Sequence, residues 1–433
     1  MAAVPKYTKH FGPAQAERLL WRAGFGPRAG EAKRLAAKGL HGAVLSLTRP
    51  PAEQLTGPAP TDDKHFPIAP YDASGHDHLW WLDRMVRTNR PLVERMTLVW
   101  HDWFATSNQG VGSQRLMLNQ NEVLRTHALG SFRDLVHDIT RDPAMLQWLN
   151  GNKNTKNSPN ENYGRELMEL FTLGADRGAY TETDVREQAR ALTGWRSTRV
   201  KGVGPTNFRY EPKLHDNGSK TIFGKSGNFN WEDSAGLVVQ HPEHASFFVT
   251  KLWSYFVPTA PPPATRRALE ATYRKSYAIR PVVEAILQHP ALYNGPRMVK
   301  PPVVFAAGML RALGRGIQTT QWFRIAPNTG QRLFYPPNVA GWDETRWLDT
   351  ATFRGRWFLA SLLTTGNAST ASAGPEKLVD LALAYWNRPP ITAPTRKVLV
   401  RFAKTGLARG RSAAEIETAL RQLVATSPDL QTA

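Results

Sequence analysis

Apolar residues recur at helical spacing along most of the chain, and this pattern limits the fold more than any other feature. The clearest example is the apolar stripe of the helix that Pro91 opens, formed by Leu92, Met96, Val99 and Trp103. Similar segments follow one another, separated by Pro and Gly residues. The pattern predicts a mainly α, multi-helix globular fold.

One segment departs from the helical pattern. Near residues 206–224, the stretches FRYEP and KTIFG flank Asp216-Asn217-Gly218-Ser219, which is typical of a turn between two strands. We therefore expect a small β-hairpin insertion near 206–224.

The chain has 433 residues, which is more than the roughly 100–200 residues of one typical domain. Small residues dominate positions 366–374, as they do in linkers. We expect a helical domain over residues 1–365, with its motif core at 158–224. A C-terminal helical unit should follow over residues 366–433.

Composition excludes several classes of protein. The chain has no cysteine, so disulfide frameworks, thiol nucleophiles and cysteine-ligated metal centres are ruled out. It carries 55 Lys and Arg against 36 Asp and Glu, a net charge of +19. This excess is compatible with a polyanionic partner, but the basic residues are scattered, which argues against nucleic acid.

The sequence contains no apolar run of about 18–20 residues that could form a transmembrane segment. Its first 20 residues also lack the apolar core of a signal peptide. We therefore expect a soluble, cytoplasmic protein.

Two charged segments in the middle of the chain are candidate catalytic elements. They read PNENYGRELMELFTLG at 159–174 and YTETDVREQARALTGW at 180–195. The first is predicted to be a helix capped by Ser158, and the second a helix that begins at Thr181 and runs to Trp195.

Acid–base chemistry is one interpretation of these charges, with Glu166 as the acid/base and Arg165 and Arg190 as its charge partners. Carboxylates beside an arginine can be held at different pKa values, as such catalysis requires. Glu161 is a further candidate, although its position also suits a helix-capping partner. The alternative is a set of structural ion pairs, with Arg190 and Glu166 meeting if the two helices pack side by side.

Four residues are candidates for substrate binding. Tyr163 and Trp195 lie in the two charged segments, and Asn338 and Trp342 lie in an irregular stretch rich in Pro and Gly. Flat apolar rings match the C–H face of a sugar. These residues favour a polar or polymeric substrate, which the basic charge would allow to be anionic.

His101, His215 and Asp216 are candidate ligands for a divalent metal. His101 lies off the apolar stripe, and His215 and Asp216 lie at the predicted hairpin turn. Imidazole and carboxylate together suit Zn²⁺ or a similar ion. The compact spacings of known metal motifs are missing from the sequence, so a metal stays an alternative rather than a requirement.

The two charged segments resemble the signature block of a bacterial family catalogued as domain of unknown function 1800. Further segments match in the same order: RLLWRAGFGP, WHDWFATS, DPAMLQWLNG, HDNGSKTIFG, HPEHASFFVTKLW and PPNVAGW. The resemblance covers about residues 15–365. The resemblance implies a mostly helical fold and no established activity. Because members of the family are often exported, it also implies export as an alternative to a cytoplasmic location.

The charged and aromatic residues favour a hydrolase-like enzyme with a carboxylate and histidine cleft. Two alternatives stay open. One is a non-enzymatic binding or scaffold protein whose motif charges form a buried ion-pair network, and the other is a polyanion-binding protein.

Overall fold

The computed structural model describes residues 3–201, 203–364, 368 and 373–433. Helices dominate this part of the chain, which confirms the mainly α fold class. They are α1 (Pro13–Arg22), α2 (Glu31–Ala36), α3 (Gly39–Thr48), α4 (His76–Arg87), α5 (Pro91–Trp103), α6 (Asn108–Val111), α7 (Gln114–Thr126), α8 (Phe132–Thr140), α9 (Pro143–Trp148), α10 (Asn162–Glu166), α11 (Glu182–Ala191), α12 (Trp231–Gln240), α13 (His244–Ser254), α14 (Pro263–Arg274), α15 (Ile279–Gln288), α16 (Pro290–Asn294), α17 (Pro302–Leu313), α18 (Gln321–Ile325), α19 (Thr350–Thr364), α20 (Pro375–Tyr385), α21 (Ala393–Ala408), α22 (Ala413–Ala425) and α23 (Pro428–Gln431).

Short 3₁₀ and π segments complete the helical part. The 3₁₀ turns are Gly151–Lys153, Pro212–Leu214, Ala326–Thr329 and Glu344–Arg346. A π-helical turn, Leu167–Thr172, continues α10 directly. Many of the α-helices begin with proline, whose fixed φ angle and missing N–H suit the first helical position.

Four strands form two separate antiparallel hairpins. Strand β1 (Trp195–Val200) pairs with β2 (Gly204–Tyr210), and β3 (Lys220–Ile222) pairs with β4 (Lys225–Gly227). The fold class therefore holds, but the expected pairing of FRYEP (residues 208–212) with KTIFG (residues 220–224) is wrong. Tyr210 faces Trp195 instead, because each strand pairs with its nearest neighbour along the chain.

A buried lysine explains why residues 211–219 do not form a hairpin turn. Lys220 Nζ donates hydrogen bonds to the carbonyl oxygens of Asp216 and Gly218. The loop is thereby folded around the ammonium group. The actual tight turn lies at Phe223 and Gly224, which both have positive φ angles, as a type I′ turn requires.

The first charged segment begins its helix later than predicted. Asn154 Oδ1 accepts a hydrogen bond from the Asn160 amide, and Asn160 Oδ1 accepts one from the Asn162 amide. These side chains satisfy donors that a helix starting after Ser158 would present. The predicted cap at Ser158 is therefore wrong, and the helix starts at Asn162 with Glu161 at the N-cap position.

The chain forms two compact units, each assembled from segments that are distant in sequence. Unit 1 comprises described residues up to Lys6, Met96–His289 and Phe334–Trp342. Its core contains a cluster of rings in which Phe132 lies 5.6 Å from Trp103 and 4.8 Å from Phe248, centroid to centroid.

Unit 2 comprises Tyr7–Arg95, Pro290–Leu333 and the described residues of 343–433. Its buried Arg356 donates hydrogen bonds to the carbonyl oxygens of Lys300 and Trp347 and to Gln431 Oε1. Most of the linker expected at 366–374 lies outside the described residues, and the boundary expected near residue 366 stays a prediction.

Candidate functional site

The π-helical turn Leu167–Thr172 is the point in unit 1 where several signature segments meet. The carbonyl oxygens of residues 170–172 lie at its end, where the helix offers them few backbone donors. Side chains from other elements donate to them: Lys251 Nζ, Trp103 Nε1 and His244 Nδ1, in that order, at 3.0, 2.9 and 2.8 Å. The turn is thereby fixed by residues of α5 and α13.

The hydrogen bonds of His244 define its protonation state. Nδ1 carries the proton that is donated to the Thr172 carbonyl, and Nε2 accepts from the Tyr273 hydroxyl at 2.7 Å. Complete burial lowers the pKa of His244 to about 4. The ring is therefore neutral, and its role is to hold the end of the turn.

Asp102 links two more signature segments. Its Oδ2 accepts from the Tyr255 hydroxyl at 2.7 Å, and its Oδ1 accepts from the Trp342 amide at 2.8 Å. Gly341 has a φ of +94°, and a Cβ atom there would lie 2.4 Å from Asp102 Oδ1. Only glycine therefore allows this close approach of the backbone to the carboxylate.

His101, the first candidate metal ligand, lies in the interior of unit 1. Its ring contacts those of Phe334 and Trp342, with centroid distances of 5.6 and 5.4 Å. Burial lowers the pKa of His101 to about 3, so the ring is neutral at physiological pH. Trp342, one of the candidate substrate-binding residues, is itself only 8% exposed.

Arg165 joins carboxylates from both charged segments. Its guanidinium lies 3.1 Å from Glu161 and 2.8 Å from Glu182. These pairs are largely exposed, since 34% of Arg165 and 67% of Glu182 side-chain area is accessible. The hydrogen bonds that Arg165 donates to Glu182 raise the pKa of Arg165, so this arginine is permanently charged.

Arg190 lies in a second cluster and does not pair with Glu166. Its Nε atom is 2.7 Å from Asp216 Oδ2, and its Nη1 atom is 3.0 Å from Glu187. The structure thus joins Arg190 to Asp216, which the sequence had placed in a different site. The hydrogen bond from Arg190 is the main cause that lowers the pKa of Asp216.

Glu166 differs from the other charged residues of its segment. It is half-buried, and its carboxyl group has no hydrogen-bond or ion-pair partner among the described residues. Burial raises its pKa, the nearby Glu169 carboxylate raises it further, and Arg165 opposes both effects.

Glu169 carries the second carboxyl group at this position and accepts a hydrogen bond from the Tyr180 hydroxyl at 3.3 Å. Burial and this carboxylate raise the pKa of Tyr180 to about 12, so its phenol stays protonated. Glu166, Glu169 and Tyr180 therefore form a group of acidic side chains near Arg165.

The residues predicted to bind substrate are spread over different environments. Tyr163 is buried, and its hydroxyl donates to Thr140 Oγ1 at 2.9 Å. Asn338 is exposed in a turn, where its Oδ1 accepts from the Ala340 amide. Trp195 is partly exposed and contacts the rings of Tyr210 and Trp231 at 5.6 and 5.5 Å.

The three predicted metal ligands do not form a metal centre. His215 is buried, its Nδ1 lies 3.0 Å from the Thr193 carbonyl oxygen, and burial lowers its pKa. Asp216 is engaged by Arg190. Within the described ranges, no group of three or more His, Asp or Glu side chains is arranged to hold a metal ion.

The convergence of the signature segments on the π-helical turn agrees with the match of the whole sequence to one family. The family model described as protein of unknown function (DUF1800) matches residues 18–432. The chain belongs to the DUF1800 family. The match extends beyond residue 365, where the resemblance seen in the sequence ends, and includes helices α20–α22.

Further comparisons add no assigned activity to this DUF1800 chain. No curated protein and no solved structure matches it. In the described part of the molecule, no helix has the length and apolar character needed to cross a membrane.

Sequence reasoning missed three residues of unit 1 in this DUF1800 chain: Lys251, which donates to the turn, and Asp102 and Tyr255, which are hydrogen-bonded to each other. Lys251 Nζ lies 4.6 Å from the centroid of the Trp103 ring, and burial lowers its pKa to about 8. All three lie in or beside the segments WHDWFATS and HPEHASFFVTKLW. Their position in or beside these two segments was the sequence signal that could have identified them. The sequence does not show that the segments lie close together, because that depends on contacts between residues distant in sequence.

Proposed function

We propose that the chain is a hydrolase-like enzyme in which the carboxyl group of Glu166 acts as general acid and base. The observation that carries this proposal is that Glu166 is half-buried and without a partner among the described residues, while the neighbouring Arg165 is engaged by Glu161 and Glu182. A carboxyl group with a raised pKa holds its proton closer to neutral pH, where it can donate it to a leaving group.

The surroundings of Glu166 contain groups suited to proton transfer and groups suited to substrate binding. Glu169 supplies a second carboxylate, and the phenol of Tyr180 donates a hydrogen bond to it. The helix changes from α to π geometry directly after Glu166, and π turns are frequent at functional sites. Arg165 supplies positive charge for a polar or anionic polymeric substrate, and the partly exposed Trp195 supplies an aromatic face.

Substrate panels of glycans, esters and peptides test this proposal. The purified wild-type protein is compared with Glu166→Gln, which keeps the shape of the side chain but cannot exchange a proton. We expect at least one wild-type hydrolytic activity, and a fall of kcat by about 100-fold or more in the variant. The matched control is Glu232→Gln at an exposed position of α12, which should keep full activity.

Thermal unfolding measured on the same samples separates catalysis from folding. Glu166→Gln should unfold at the wild-type temperature or slightly higher, because it removes a half-buried charge. Wild-type protein without activity on any panel, or equal activity in Glu166→Gln, would contradict the proposal.

A non-enzymatic scaffold is the second candidate, favoured by the way Arg165 and Arg190 each join two carboxylates. If the role of these ion pairs is to stabilise the fold, Arg190→Met should lower the free energy of unfolding by about 1 kcal/mol. Urea titration measures this change. Binding of any partner would then depend on the pairs and be insensitive to Glu166→Gln.

Polyanion binding is the third candidate, favoured by the exposed basic residues of the β1–β2 hairpin, Arg196, Arg199 and Lys201. Such binding would weaken steeply as the salt concentration rises, because each contact releases counterions. Heparin affinity measured at several salt concentrations tests this, and a flat response would contradict it.

A further inference from the structure

Unit 2 contains a cavity of about 450 Å³. Its lining comes from α1, α17 and the C-terminal segment that includes residues 429–433. This volume lies within the range of sites that bind small organic molecules. We propose that the cavity binds a small organic anion that has a flat apolar body, with Lys300 as the partner of its negative group.

The apolar wall of the cavity is rigid. Trp21, Phe305, Met309 and Trp386 contribute to it. The Trp21 indole packs on the backbone of Gly308, where an added Cβ would lie 2.3 Å from the ring. A fixed aromatic wall gives a flat ligand a surface to stack on without a loss of side-chain freedom.

Lys300 brings a positive charge to this wall without a counterion. It is 5% exposed, and its Nζ atom lies 3.7 Å from the centroid of the Trp21 ring. Nζ donates one hydrogen bond, to the Leu430 carbonyl oxygen at 2.7 Å. No carboxylate of the described residues lies within ion-pair distance of it.

A buried ammonium group without a counterion is costly, and an anionic ligand would remove that cost. An ammonium has three N–H donors. One is used by Leu430 and one direction is occupied by the indole face, so a donor is left for the ligand.

The other charges of the lining also favour an anion. The cations Arg18, Arg28, Lys33 and Arg297 outnumber the carboxylates Glu17 and Asp429. Asp429 is already paired with Arg297, at 3.0 Å. Burial raises the pKa of Glu17, which brings its carboxyl group closer to the neutral form.

Binding should depend on pH through Lys300. The charged groups that face it are Glu17, Asp429, Arg297 and Arg356, and burial is the main cause that lowers its pKa, to about 7. The ligand prefers the ammonium form, so bound anion raises the pKa again. Affinity should therefore be highest below pH 7, fall by up to about tenfold per pH unit between pH 7 and the higher pKa of the complex, and level off above it.

Isothermal titration calorimetry with 1-naphthoate and its neutral analogue 1-naphthamide tests the proposal on the full chain. We expect 1-naphthoate to bind at pH 6 at least tenfold more tightly than 1-naphthamide, and more weakly at pH 9. Lys300→Met should remove this preference. The matched control, Lys404→Met at an exposed position of α21, should keep it.

Chemical protection of the wild-type protein gives a second measurement that no folding defect of a variant can affect. Reductive methylation followed by peptide mass spectrometry reports how accessible each amine is. We expect 1-naphthoate to slow methylation of Lys300 several-fold and to leave Lys404 unchanged. Equal effects of 1-naphthoate and 1-naphthamide, or no binding of 1-naphthoate at about 1 mM, would overturn the proposal.

Discussion

Burial controls the ionisation of several side chains in unit 1 more strongly than ion pairing does. Asp142 caps α9, with its Oδ1 accepting from the Met145 amide at 2.9 Å and from Gln120 Nε2 at 2.7 Å. Complete burial nevertheless raises its pKa to about 7. The same effect acts in the opposite direction on His101, whose pKa it lowers.

Asp142 should make the protein less stable as the pH rises. Its folded-state pKa lies above the unfolded value, so its contribution is complete below about pH 4 and is lost as the pH rises to about 7. Asp142→Asn keeps an accepting oxygen for the cap and removes the charge. We expect it to raise the free energy of unfolding by about 2 kcal/mol at pH 8.

Urea titrations at pH 5 and pH 8 measure this difference. The gain from Asp142→Asn should be larger at pH 8 than at pH 5. Asp142→Ala is the matched control: it removes the same charge and also the cap, so at each pH it should be about 1 kcal/mol less stable than Asp142→Asn. A gain of equal size at both pH values would contradict the assigned ionisation.

At the scale of single elements, the features that depend on neighbouring residues were predicted from the sequence. The features that depend on contacts with distant residues were not. The predicted start of α11 at Thr181 is confirmed, and Thr181 forms a capping box with Asp184, three positions away. The predicted end at Trp195 is wrong, because α11 ends at Ala191 and β1 begins at Trp195. The start of α10 was misplaced because Asn154, outside the segment, binds the Asn160 amide. Lys220 altered the hairpin region in the same way, through contacts that no propensity describes.

The capping box of α11 can be tested directly. Thr181 Oγ1 accepts from the Asp184 amide, and Asp184 Oδ2 accepts from the Thr181 amide at 2.9 Å. Thr181→Ala should lower the free energy of unfolding by about 1 kcal/mol. Thr181→Ser keeps the hydroxyl and should be nearly neutral, so an equal loss in both variants would show that the methyl group, not the cap, is responsible.

His244 should be the most sensitive of the donors at the π-helical turn. His244→Phe keeps a ring of similar shape and leaves the Thr172 carbonyl and the Tyr273 hydroxyl without their partner. Two buried polar groups without partners should cost about 2–4 kcal/mol in thermal or urea unfolding. His241→Phe, at a less buried position three residues away, is the control and should cost less than half as much.

At the scale of the whole molecule, each unit depends on segments that the sequence does not place together. Asp102, Tyr255 and Trp342 converge in unit 1 although 240 positions separate the first from the last. Periodicity and caps predict the elements, but not which elements meet. The mainly α class was therefore predictable, whereas the contacts around the π-helical turn were not.

Arg356 has the corresponding role in unit 2, where it joins residues near 300, 347 and 431. Arg356→Met would leave three buried acceptors without a donor, and we expect a loss of about 3 kcal/mol. Hydrogen exchange should place that loss in unit 2. Arg354→Met, exposed on the same helix, should have little effect, and an equal loss in both variants would refute the role of Arg356.

The π-helical turn Leu167–Thr172 holds one spare residue compared with ordinary α geometry. Deleting a single residue there would restore the narrower α geometry and change the directions of the carbonyl oxygens at the end of the helix. The carbonyl oxygens that accept hydrogen bonds from Lys251, Trp103 and His244 would then point away from these donors. The extra residue of the π turn thus sets the direction of these oxygens, and its presence is required by the positions of the three donors on α5 and α13.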